Sequence, residues 1–398
     1  MPPADVALIT PYPAPGDEHG GRSGVAAYGA ALAHALAGHG AEVTVLAPEE
    51  DDAPLLAADG PVRVERPFRR GPGALLRAAH AARASGAAVT HVQHELFLYG
   101  GPSSVPALAP ALRALRDAVV TMHHVVDPAT VDDDFVRLHR VHAPRRVAQA
   151  GLAGVQRTIR RRAGAVIVHE PAFARIVPEA EVVPHGLPAR PAPDAGERAA
   201  ARAALGLDDR LTVLCFGFLA PYKGLELALD AAALTGPDVR LVVAGGPHPR
   251  LVEDGDPYAH ELRERHGAHA DFVGRVPEAE VSTWFTAADV ALFPYPRPFA
   301  ASGPLALALA HRTPVLLSPQ LASCTAAPLA LTAPASAREL AALLDGLAAA
   351  PGELERLREA AGAVARDRAW PAVAGRHLEL YEEVQRGKRS ARRRLRAA

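Results

Sequence analysis

The strongest constraint on this chain is an alternation that runs twice and is broken once. Short apolar runs that suit buried strands are separated by stretches with helical periodicity, and the series is interrupted by the proline-rich segment 187–194, LPARPAPD. Before that segment, strands are predicted over 6–10, 43–47, 62–65, 88–93, 118–122, 165–168 and 181–183, with helices over 25–37, 73–84, 104–115 and 147–162. After it, strands are predicted over 211–216, 239–244, 271–273, 290–294 and 314–317, with helices over 224–234, 258–266, 278–287 and 304–311. Three further helices, 337–349, 352–365 and 370–385, close the chain. Strands that are apolar throughout belong in parallel sheets covered on both faces, so the expected class is α/β, with two doubly wound Rossmann-like domains in tandem. The boundaries that follow are 1–188 and 195–369, with the aperiodic proline-rich stretch between them as a linker.

Composition removes several classes of function. A chain of 398 residues is long enough for two full cores, and a net charge of −1 gives no overall attraction to nucleic acid. The two cysteines, Cys215 and Cys324, lie far apart and in no metal-ligand spacing, which suggests reduced thiols and a cytoplasmic protein. The opening MPPADVALIT carries Asp5 and too short an apolar run for a signal peptide, and no stretch reaches the roughly 20 apolar residues of a membrane span. The tail 387–398, GKRSARRRLRAA, is basic and of low complexity, and disorder is expected there. Such a tail can make weak peripheral contact with an anionic membrane, although a solvated end is the plainer reading.

Chemistry-bearing residues gather where strands end. The stretch 293–318, FPYPRPFAASGPLALALAHRTPVLLS, reads as strand, loop, helix and strand. Ser302 can cap its helix and Pro304 suits the first turn, so free backbone N–H groups at Ser302 and Gly303 would face an anion in the loop. The plainer alternative is that these residues only punctuate a turn. In the first predicted strand-to-helix loop, Gly20, Gly21 and Gly24 surround Arg22 and Ser23, which permits close backbone approach to a ligand or merely a flexible turn. Lys223, in FGFLAPYKGLELAL, opens a helix after the first strand of the second half. Its ammonium can point to the same sheet edge as Ser302. Histidines recur at strand ends: His91 and His94 beside Glu95, His123 and His124, and His185 before Gly186. Each alone is more often a polar loop residue, but their shared placement suggests one cleft. Their spacing matches no zinc signature, and no metal site is predicted.

Taken in order, these features resemble the retaining glycosyltransferases of family 4. The resemblance rests on the glycine-rich first loop, Thr121 to His123, Pro184–His185–Gly186, GFLAPYKGLELALDA from Gly217 to Ala231, and WFTAADVALFPYP through ALAHRTPV. It spans nearly the whole chain and implies a GT-B fold, two Rossmann-like domains with a final helix, 370–386, crossing back to the N-terminal one. It also implies transfer of a sugar from a nucleotide-diphosphate sugar to an acceptor hydroxyl, with no cofactor and no metal. On this basis Lys223 would hold the donor diphosphate, with Gly21, Gly217, Phe218, Gly245, Ala301, Ser302, Gly303 and Pro304 around the donor. His123 would sit near the donor sugar, and Arg22, His94, Glu95, His124 and His185 would line the acceptor side of the cleft.

Some positions depart from the family pattern. The arginine expected five residues before Lys223 is Phe218, and the two expected glutamates fall at Phe299 and Leu307. The chain looks instead like a subset with YKGL and SG motifs, here Tyr222 to Leu225 and Ser302–Gly303, although the glutamine common before SG is Ala301. Two alternatives therefore stay open. One is a catalytically silent GT-B binding or partner subunit, and the other is a GT-B sugar-nucleotide epimerase, for which Glu95, Glu170 and Asp127 are the candidate acids. The run Asp132–Asp133–Asp134 is read as a solvated helix start rather than a metal site.

Overall fold

The computed structural model describes residues 5–14, 24–138, 141–253, 255, 257–296 and 302–387. Described residues up to Gly186 and from Trp370 onward form one compact unit, and those from Leu187 to Ala369 form another.

The first unit is built on eight strands: β1 (Asp5–Ile9), β2 (Glu42–Pro48), β3 (Leu56–Asp59), β4 (Val62–Phe68), β5 (Val89–His94), β6 (Val119–Met122), β7 (Ala165–Val168) and β8 (Glu181–Val182). Their order is β3-β4-β2-β1-β5-β6-β7-β8, so the chain reverses direction across the sheet between β1 and β5. Val6 to Ile9 are fully buried, which is what a central parallel strand with helices on both faces requires. Every pairing is parallel except β3 with β4, and β3 corrects the expectation of a wholly parallel sheet. This four-residue edge strand is mostly exposed, so it carries none of the apolar periodicity that marks its neighbours.

Helices Gly24–Gly38, Ala74–Ser85, Val105–Leu115 and Arg145–Arg162 flank the sheet. Two short helices, Asp133–Leu138 and Pro171–Ile176, were not foreseen apart from the acidic start of the first. There Asp132 Oδ1 accepts from the Phe135 amide at 2.8 Å, as a helix cap does. Helix Trp370–Gln385 packs on Gly24–Gly38 and places Val373, Ala374, Leu380 and Tyr381 in the same core as Val6, Leu8, Leu32 and Leu36.

The second unit has five parallel strands, β9 (Leu211–Phe216), β10 (Val239–Ala244), β11 (Asp271–Gly274), β12 (Val290–Phe293) and β13 (Val315–Leu317), in the order β11-β10-β9-β12-β13. Its switch point lies between β9 and β12. Helix Ala195–Ala204 was missed among the alanines, yet it opens on a capping box in which Asp194 Oδ1 accepts from the Glu197 amide and Glu197 accepts from the Asp194 amide, each at 2.8 Å. The start of the expected linker is also firmer than its composition suggests. Leu187 is buried in the second unit's core, and its N–H donates to the Arg368 carbonyl at 2.7 Å.

Candidate functional site

In the second unit, the site is assembled at the carboxyl ends of β9 and β12, where open α/β sheets bind ligands because the flanking loops diverge. Lys223 ends a short 3₁₀ turn, Pro221–Lys223, that follows β9, and it is buried. Its Nζ donates to Tyr295 Oη at 2.5 Å and lies 4.4 Å from the centre of the Tyr295 ring. Tyr295 follows β12, so this bond bridges the switch point. Tyr295 Oη in turn lies 3.3 Å from Ser302 Oγ, which accepts from the Leu305 amide at the start of helix Gly303–Ala310. Ser302 is the N-cap and Pro304 sits in the first turn, as expected.

Glycines make room for this arrangement. Gly217, directly after β9, has φ of 114°, and a Cβ there would stand 3.1 Å from Pro304 Cγ and 3.5 Å from Lys223 Nζ. A side chain would therefore be strained in backbone and pressed against the two groups that define the site. At Gly245, after β10, a Cβ would overlap the Gly217 carbonyl oxygen, so the neighbouring strand ends come this close only because residue 245 has no side chain.

Among the described residues no carboxylate pairs with Lys223. Burial alone pulls its ammonium down to about 8, because the charge has lost water without gaining a counter-ion. A hydroxyl, a ring face and a helix N-terminus converge on an unmatched buried cation, which is the chemistry of an anion site. Phe218, where a cation was expected, is half exposed and meets the His248 ring edge-on at 5.6 Å.

The histidines of the first unit behave differently from the expectation of a shared cleft lining. His91 lies within β5, fully buried, with Nδ1 2.6 Å from Tyr381 Oη and Nε2 2.7 Å from Thr121 Oγ1. His123, after β6, is also buried. Its Nε2 meets the Gln93 side-chain amide at 2.7 Å and its Nδ1 meets His169 Nε2 at 3.2 Å, so both ring nitrogens are engaged inside the unit. Tyr28 packs its ring against His123, His169, His185 and Trp370 at centroid distances of 4.7 to 5.1 Å. His94 is buried and held down to about 4 by burial and by nearby His124. His124 and Glu95 remain partly exposed and approach to 3.7 Å, and His185 Nδ1 donates to the Gly186 carbonyl at 2.8 Å.

Thus Lys223, Gly217, Gly245, Ser302, Gly303 and Pro304 come together in the second unit, while His94, Glu95, His123, His124 and His185 belong to the first. Gly21, Arg22, Ala301, Phe299 and the basic tail from residue 388 lie outside the described residues. Tyr295, Gln93 and His169 were not singled out as site residues. Tyr295 had one available signal, an aromatic hydroxyl directly after an apolar strand. Among the described residues no group of three or more His, Cys, Asp or Glu is placed to hold a metal ion, and no helix is long and apolar enough to cross a membrane.

Comparison with known families and structures agrees with this architecture. Residues 22–188 match the family model described as Glycosyltransferase Family 4, and residues 210–349 match Glycosyl transferases group 1. By these models the first part of the chain is similar to family 4 glycosyltransferases and the second part to group 1 glycosyltransferases. Its likeness to individual proteins is of two kinds. D-inositol 3-phosphate glycosyltransferase of Mycobacterium sp. (strain KMS) is 60% identical over 53 residues, which is 13% of this chain and only 12% of that protein. HepE of Anabaena, crystallised in complex with UDP, superposes with a TM-score of 0.65 at 17% identity, over 95% of this chain and 100% of that one. Sucrose-phosphate synthase from Thermosynechococcus elongatus gives 0.66 at 22% identity, over 96% and 99%. At such identities the likeness establishes the fold, which is GT-B.

Proposed function

We propose that this protein is a retaining glycosyltransferase that moves a sugar from a nucleotide-diphosphate sugar to an acceptor hydroxyl, without needing a bound metal. The observation that carries the proposal is the buried, carboxylate-free ammonium of Lys223, at the switch point beside the capped helix Gly303–Ala310. Breaking the sugar–phosphate bond leaves negative charge on the departing diphosphate. A fixed cation and helix N-terminal amides stabilise that charge without reorganising as it grows. Tyr295 accepts from Lys223 and shares a hydrogen bond with Ser302 in which either hydroxyl can donate, so the three groups form one polar cluster beside the helix start. The UDP in the HepE complex makes uridine donors the first to try. A cytoplasmic setting and weak contact of the basic tail with an anionic membrane belong to the same proposal.

A second reading, a silent binding subunit, is favoured by one feature: Leu307, at a position expected to be acidic, packs against the second unit's core and offers no carboxylate. The test is release of nucleoside diphosphate from a panel of UDP-, GDP- and ADP-sugars with a panel of hydroxyl acceptors. A transferase gives acceptor-dependent release with the anomeric configuration kept, and Lys223→Met lowers it by about 100-fold or more, the scale of removing one such electrostatic contact. Diphosphate binding without any release points to the silent subunit. Wild-type rates in Lys223→Met would remove the assignment of the diphosphate to this lysine.

A further inference from the structure

Arginine is the ordinary cation of this chain. Of its 43 lysines and arginines only two are lysines, Lys223 and Lys388, the latter in the basic tail. The one lysine among the described residues is therefore a departure from the chain's own habit, and it is buried. An ammonium is a compact point charge with three donors on a flexible stem, whereas a guanidinium brings its own plane and fork. The direction of a lysine's charge is thus set by what meets it. Among the described residues the acceptor that meets Lys223 Nζ is Tyr295 Oη at 2.5 Å, and the ring of the same residue is centred 4.4 Å away. An ammonium only donates, so Tyr295 accepts.

Tyr295 itself is firmly held. Pro294 and Pro296 flank it, and its carbonyl accepts from Ser318 Oγ at 2.6 Å. Ser318 in turn caps helix Pro319–Thr325, accepting from the Leu321 amide at 3.2 Å. The Tyr295 ring is buried and meets Phe293 edge-on at 5.9 Å. Its segment is also fitted against the residue after Lys223. Gly224 has φ of 62°, and a Cβ there would stand 2.5 Å from the Pro294 carbonyl oxygen and 2.7 Å from Pro296 Cδ. Only a glycine lets the two loops run so close. A phenol fixed at both its backbone and its ring therefore faces a stem that is free to turn.

We propose that Tyr295 is a positioning residue: its phenol fixes the Lys223 ammonium through hydroxyl and ring, so that the remaining N–H donors of the ammonium are directed at the donor's diphosphate. The bearing on the diphosphate rests on the proposed glycosyl transfer, while the hold of Tyr295 on Lys223 does not. The titratable groups around the ammonium are all neutral near pH 8. Tyr222, on the same turn, presents its ring at 5.6 Å, and burial raises the Tyr295 phenol. Cys215, in β9, acts on Tyr295, and burial pushes its thiol up to about 12. No charged group is among the causes acting on Lys223, so a titration near pH 8 at this site belongs to its amine.

The test is an NMR titration of the full-length protein carrying isotope-labelled lysine, with Lys388→Arg used to tell the two signals apart. Lys223 is expected to titrate at about 8 in the wild type. In Tyr295→Phe, which keeps the buried ring, it should titrate about one pH unit lower, because the hydroxyl serves the charged form more than the neutral amine. Calorimetry at pH 7 should show UDP affinity falling about 10-fold in the same variant. A tyrosine that only fills the core would move neither value. An unchanged Lys223 titration, or wild-type UDP affinity in Tyr295→Phe, overturns the proposal. A nuclear Overhauser contact between the Lys223 Cε protons and the Tyr295 ring checks the geometry in the wild type without any variant, and its absence also overturns the proposal. If the wild type binds none of UDP, GDP and ADP, the reading of the site as a diphosphate site fails, while the titration and the contact still decide whether Tyr295 holds Lys223.

Discussion

Lys223 costs the unliganded protein stability, which is the mark of a buried charge without a counter-ion. Its ammonium is pulled from an ordinary 10.5 to about 8 by burial, so the folded chain binds that proton less tightly than the unfolded chain. The resulting penalty is roughly 3 kcal/mol below pH 8. It shrinks as pH rises from about 8 and vanishes near 10.5, where the amine is neutral in both states. Lys223→Met is therefore expected to raise the melting temperature of the unliganded protein at pH 7, with the gain fading above pH 8. The same variant should lose the stabilisation that a nucleoside diphosphate gives the wild type, which binding to the native state alone supplies. Scanning calorimetry with and without UDP measures both. A drop in unliganded stability would mark Lys223 as part of the core and not of an anion site.

The helix Gly303–Ala310 is short, so its start matters more than its propensity. Ser302 provides the cap, and Ser302→Ala should cost about 1 kcal/mol in urea unfolding, whereas Ser302→Asp keeps the cap. The two variants should part company in turnover. Aspartate brings a negative charge to the place where the diphosphate is proposed to lie, so it should depress donor binding more than alanine does although it folds better. Equal donor KM values in the two would detach Ser302 from the donor. This element also marks the limit of what the sequence discloses. Ser302, Pro304, Lys223 and Gly217 were legible because turns and caps are local chemistry. Tyr295 was not, since its role depends on β12 lying beside β9, a neighbour 77 residues away in register, Val290 against Val213. His91 and Tyr381 meet across 290 residues and Gln93 and His123 across 30, so no periodicity announces either pair. The edge strand β3 went unseen for a different reason: it buries almost nothing.

Across the whole molecule, strand-helix alternation was enough to reveal two α/β units, but the order of strands within each sheet had to come from the structure. The last helix is the element that ties the termini of the first unit together. Val373, Leu380 and Tyr381 are almost completely buried there, and each such side chain contributes about 1.5–3 kcal/mol. Their loss approaches the roughly 5–15 kcal/mol that holds a typical domain together. A chain ending at residue 369 is thus expected to lose the thermal transition of the first unit while keeping that of the second. A synthetic peptide spanning 370–387 should restore it. Two unchanged transitions in the shortened chain would show that the helix is dispensable.

The route of the chain sets an order on its birth. Residues up to Gly186 leave the ribosome before the second unit, yet the core they belong to is closed by Trp370–Gln385, which leaves after it. The second unit can therefore finish folding while the segment before it waits with Leu32, Leu36 and the β1 face uncovered. Of the two units, the one begun first is completed second, and that interval is when it is most exposed to chaperones, proteases and its own neighbours on the polysome.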